Sequence, residues 1–133
     1  MPPPPRDRGA SAVEFALVLP ILLLLVIGIL EFGRAYHVQT TLSNAARDGV
    51  RVMALQDSAA AAKTRVAKSA PTLGITTDMI TVEVDPSSAC SGAGSVPNST
   101  ASVTVEYPLA LLSGILPIDD LTLTGKGTMR CNG

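Results

Sequence analysis

Apolar and polar positions divide the chain into stretches with different periods. Residues 15–30 (FALVLPILLLLVIGIL) carry no charged or polar side chain, and the run widens to residues 10–30 once Ser11 and Glu14 are admitted. At about 1.5 Å rise per residue, that wider run makes a helix of roughly 31 Å, the thickness of a bilayer hydrocarbon core. A soluble core helix needs a polar face for water, and residues 15–30 offer none. A secretory signal peptide is the other reading, with Arg6 and Arg8 as its charged start and cleavage following Gly33-Arg34-Ala35. Against it, the apolar run is long for a signal sequence and Arg34 sits inside the cleavage triplet. A retained membrane helix is the expectation. Pro20 removes one backbone hydrogen bond and is expected to kink that helix without ending it.

Past Glu31 the period becomes helical and amphipathic. Ala35, Val38, Leu42, Ala45, Gly49, Val50 and Met53 recur at steps of three and four, while Arg34, Gln39, Arg47 and Arg51 fall mostly off that stripe. Ala45 and Gly49 form a small-xxx-small pair that permits close backbone approach, either to the chain's own domain or to neighbouring copies. Asp57-Ser58 is an N-cap candidate for a second, alanine-rich helix over 58–69, punctuated by Pro71 and Gly74. Strand-like alternation follows at 80–84, at 101–107, and from 120 toward Met129. Residues 86–100 are dense in Ser, Gly and Pro and read as a loop, and residues 109–116 (LALLSGIL) are too short to span and read as a connector. The expected fold class is α+β: a long N-terminal transmembrane and amphipathic helix, a second short helix, and a small antiparallel sheet of about three strands.

Composition narrows the setting. The chain has 133 residues, room for one modest domain, and a net charge of −1 with no basic patch, which argues against nucleic acid as a partner. Arg6 and Arg8 before the span nearly balance Arg34, Arg47 and Arg51 after it, so charge alone does not orient the helix. Cys90 and Cys131 are the two cysteines, and a pair in a small domain suggests a disulfide and an oxidising compartment; two unrelated buried thiols are the alternative. A bond would close a loop of about 40 residues, worth roughly 4 kcal/mol by chain entropy. It would place the N-terminus in the cytoplasm and the C-terminal domain outside.

Glu14 is the costly residue, because a carboxylate beside a membrane span wants a positive partner. It can merely sit at the headgroup level and favour the helix N-terminus. Cleavage after Gly9 would instead create an amine on Ala10, one helical turn from Glu14. Arg6-Asp7-Arg8-Gly9, Ala-Ser-Ala-Val-Glu14-Phe15 and the apolar run resemble a type IV prepilin leader, more narrowly the TadE-like minor pilins (pseudopilins) of the tight-adherence, or Flp, pilus system. Glu31-Phe32-Gly33-Arg34 and residues 44–51 (NAARDGVR) are also similar to that family. The resemblance implies removal of leader 1–9 by a prepilin peptidase cutting between Gly9 and Ala10, and a role for Glu14, followed by Phe15, in processing and assembly. It implies a transmembrane helix at 10–31, its extracytoplasmic continuation at 32–56, and a small α+β domain at 57–133. The implied partners are the membrane, the peptidase, other Flp-type pilins and, indirectly, an assembly platform and ATPase.

The enzyme reading is thin, and no cofactor or metal is expected. His37 is the one histidine and reads as an interfacial side chain beside Tyr36. Asp119-Asp120 reads as a solvated turn, and Asn98-Ser99-Thr100 fits a glycosylation sequon too common by chance to weigh. Two functions are weighed: a minor pilin acting in Flp-type assembly, or a secreted binding domain released by signal peptidase near Ala35.

Overall fold

The structure, a computed structural model, describes residues 7–111 and 121–131. Residues 1–6, most of the 109–116 connector and Asp119-Asp120 lie outside the described residues. A single helix, α1 (Asp7–Gln56), runs 50 residues without a break through Pro20; at 1.5 Å per residue it is about 75 Å long. A second helix, α2 (Ala59–Ser69), follows after a two-residue turn. Strands β1 (Ile80–Asp85), β2 (Thr100–Leu109) and β3 (Leu121–Arg130) form an antiparallel sheet in the order β1-β2-β3. The α+β architecture is the expected one, with β2 starting at Thr100 and continuing through Pro108. Pairing with β1 has already stopped at Val105, so one side of β2 is free at Pro108, where a strand tolerates proline.

Alternation gives the sheet two unlike faces. Val82, Val103 and Gly127 lie level across the three strands, as do Val84, Ala101 and Met129. This face meets the helices and holds the core, with Ile80, Val103, Val105 and Leu109 buried. The opposite face carries Thr81, Glu83, Ser102, Thr104, Glu106, Lys126, Thr128 and Arg130, polar apart from Pro108.

Val38, Leu42, Ala45, Ala46, Val50 and Met53 of α1 are buried in that core. The helical stripe after Glu31 therefore packs against the chain's own domain. Gly49 is the closest point: a Cβ there would collide with the Val66 side chain of α2, so its absence lets the two helices touch. Gly125 and Gly127 do the same for α1 on β3, where the helix backbone at Leu42 and Ala46 lies directly over the glycines.

Ser58 is the N-cap of α2, its hydroxyl accepting from the Ala61 N–H at 3.3 Å. Cys90 and Cys131 form a disulfide, which ties the loop between β1 and β2 to the end of β3. The Cys131 N–H also donates to the Ser99 carbonyl at 2.9 Å.

Candidate functional site

The two halves of α1 have opposite surroundings. From Gly9 to Gly33 nearly every side chain is exposed, including Leu17 at 70% and Ile21 at 68%, and the most apolar window is wholly unburied. α1 is long and apolar enough to cross a membrane. An apolar surface of this length exposed to water would be an aggregation hazard, so it calls for lipid or protein around it. Gly9, Ala10, Glu14 and Phe15 all lie on this exposed half, with Ala10 and Glu14 one turn apart on the same face. Phe15 is 66% exposed.

Arg34 and Gln39 tie α1 to the domain. Arg34 Nη1 donates to the Ala110 carbonyl at 2.8 Å, and Gln39 Nε2 donates to the Thr124 carbonyl at the same distance. These two bonds attach α1 to the end of β2 and the middle of β3, so the exposed half emerges from a fixed base. His37 is exposed, and its carbonyl accepts from the Thr40 and Thr41 hydroxyls.

The NAARDGVR stretch is placed by contacts within the chain. Ala45, Ala46, Gly49 and Val50 are buried, and Asp48 accepts from the Ser69 hydroxyl at 2.8 Å and pairs with Arg65 at 3.6 Å. Both partners of Asp48 belong to α2. Arg47 and Arg51 point away from the core and are exposed. Residues 9–51 match the family model of TadE-like proteins. This part of the chain is similar to TadE-like proteins. It comprises the exposed half of α1 and most of the docked half, and several of its residues are explained by α2, β2 and β3, which lie beyond it. No curated protein and no solved structure matches the chain.

One residue of the junction carries a role that the sequence did not suggest. Asp57 follows the TadE-like segment in the left-handed region, φ +48°, where its N–H closes the end of α1 on the Met53 carbonyl at 2.9 Å. Its carboxylate does not cap α2. It accepts from the Cys90 N–H at 2.6 Å, the Ser91 N–H at 3.2 Å and the Ser91 hydroxyl at 3.0 Å. The disulfide loop is thus held to the turn between the two helices. These bonds, the one from Cys90 N–H above all, hold the Asp57 carboxyl below its ordinary value of 3.8, against an opposing effect of desolvation. The available signal was an Asp placed directly after a helix end, since Asp tolerates the left-handed conformation.

A folded-state value below the unfolded one means that the charged form favours the fold. That stabilisation is present above the ordinary carboxylate value and is lost as pH falls through and below it. Asp57→Asn keeps the left-handed preference and the size while removing the charge. The variant is expected to lose stability at neutral pH and to show a shallower further loss on acidification below about pH 4. Urea denaturation of the detergent-solubilised chain at a series of pH values measures this. Identical slopes for the two proteins would show that the Asp57 charge contributes nothing.

Among the described residues there is no group of three or more His, Cys, Asp or Glu that could hold a metal ion.

Proposed function

We propose that this protein is a minor pilin or pseudopilin of a tight-adherence (Flp-type) pilus system. In this reading a prepilin peptidase removes residues 1–9, and the chain acts in fibre assembly from the membrane. The TadE-like segment supports the link to Tad pilus systems. The observation that carries the finer reading is the form of α1: one continuous helix with an exposed apolar half, Ala10 and Glu14 one turn apart near its tip, and a docked half fixed by Arg34 and Gln39. Residues 10–31 serve as a membrane anchor before assembly and as a stem among other stems afterwards. The N-terminus is cytoplasmic and the disulfide-bonded domain extracytoplasmic, which suits an oxidising compartment. The partners are the peptidase, other Flp-type pilins and, indirectly, the platform and its ATPase.

Release near Ala35 fits the geometry less well. Ala35 lies within α1, packed against the core and next to the Arg34 bond to Ala110, so cleavage there would cut an ordered, docked helix. The intact mass of the membrane-extracted protein, from cells that contain the matching leader peptidase, tests the reading. A chain of 124 residues beginning at Ala10 is expected. A chain beginning at Tyr36 would make this a secreted domain, and an uncut chain would make it a plain membrane anchor.

A further inference from the structure

The two edges of the sheet carry opposite charge. On the β1 side, Glu83 and Asp85 are exposed. On the β3 side, Lys126 and Arg130 are exposed, and Arg47 and Arg51 of α1 join Lys126 around a cleft of about 420 Å³. The cleft is lined by residues of α1 and β3 alone, so it lies on the β3 side of the domain. The Asp48–Arg65 ion pair uses none of these groups. Among the described residues, no strand pairs with the outer edge of β1 or of β3.

We infer that the acidic β1 edge of one copy seats against Lys126 and Arg130 on the β3 edge of a second copy. Sign selects this contact over the symmetric ones. A two-fold pairing of β3 edges would set Lys126 and Arg130 against their own counterparts, and a two-fold pairing of β1 edges would oppose carboxylates; both are repulsive.

Register supports the same match. Glu83 lies level with Ser102 and Thr128 across the sheet, and Asp85 with Thr100 and Arg130. A copy translated across the sheet keeps these levels, so its Asp85 arrives beside Arg130 and its Glu83 between Lys126 and Arg130. Translation also leaves the α1 helices parallel, as anchorage in one membrane demands. The contact is head-to-tail, so it propagates into an open row instead of closing into a dimer. It rests on the stem reading above, because only copies anchored the same way share an orientation.

The test uses the full-length chain, natural and ¹⁵N-labelled copies mixed in membranes, with a carbodiimide that joins carboxylates to amines without a spacer. Mixed-isotope peptides linking Lys126 to Glu83 or Asp85 are expected, and their yield should fall as salt rises. Arg130→Glu in one copy should cut that yield about tenfold, given the cost of apposed like charges. Mixing the Arg130→Glu copy with one carrying Glu83→Lys and Asp85→Lys should restore contact, now read as links between position 130 of one copy and position 83 or 85 of the other. Links from Lys126 to Glu106, Glu31 or Glu14 alone, or a yield indifferent to charge reversal, would overturn the inference. An uncut leader would defeat the pilin reading without altering the cross-link map, so the two failures are distinguishable.

Discussion

Gly125→Val is expected to detach α1 from the sheet and to destabilise the domain by about 3 kcal/mol or more, at the upper end of overpacking costs. A Cβ at Gly125 would stand 2.5 Å from the Leu42 carbonyl carbon and 2.6 Å from its oxygen, and one at Gly127 would stand 2.7 Å from the Ala46 oxygen. The obstacle is helix backbone, so no change of rotamer relieves it. Either α1 lifts away or β3 bends, and lifting α1 exposes Leu42, Ala46 and Val50, which are 0%, 0% and 3% accessible. Against a typical stability of about 5–15 kcal/mol, such a loss leaves a substantial unfolded fraction under mild denaturant. Thr128→Val, one residue beyond the glycine pair on the exposed face, should stay within about 0.5 kcal/mol. Urea denaturation of the detergent-solubilised chain, followed by circular dichroism, compares them. Equal midpoints for Gly125→Val and Thr128→Val would mean that α1 does not bear on β3 as described.

Those glycines also mark where the sequence stops being informative. The apolar run at 15–30 was legible because no other period competes with it, and the strands because Val and Thr alternate cleanly over five to seven residues. A glycine within a strand reads only as weak packing or a bulge. Nothing local says that Gly125 and Gly127 form the trough for a helix about eighty residues earlier. The stripe from Ala35 to Met53 was visible, yet its owner was not: small residues suit a neighbouring stem as well as the chain's own sheet, and the buried partners Val66, Val103 and Gly127 decide it. Asp57 shows a related limit: of the Asp57-Ser58 pair it is Ser58 that caps α2, and the partners of the Asp57 carboxylate, Cys90 and Ser91, lie more than thirty residues away. The cysteine pair was legible because only two cysteines exist to be joined. The exposed half of α1 shows the converse: its residue types are plain, and its role depends on a lipid or protein environment that one chain does not contain.

Glu14→Gln is expected to leave membrane insertion intact and to reduce incorporation into pili by about a hundredfold or more, the scale of losing one partner of a buried charge pair. Glu14 lies on the exposed apolar half of α1, between Val13 and Phe15, and one turn from Ala10. In lipid its charge is a liability, so glutamine should insert at least as readily. In the processing proposed above, leader removal would free the Ala10 amine, and the same carboxylate could then meet that amine in its own chain or in a neighbouring stem. Within a packed bundle of stems, water is scarce and the pair is strong. Glutamine preserves the side chain's shape and hydrogen bonding, so a loss with glutamine assigns the effect to charge, and Glu14→Ala should do no worse than add a small packing defect. Three quantities separate the steps: the membrane-bound amount, the fraction beginning at Ala10, and the amount in the sheared pilus fraction. Normal processing with absent incorporation places the role of Glu14 in assembly, and a chain left uncut places it in recognition by the peptidase. Wild-type levels in the sheared fraction would remove Glu14 from the mechanism and leave α1 as an anchor whose carboxylate merely sits at the headgroups.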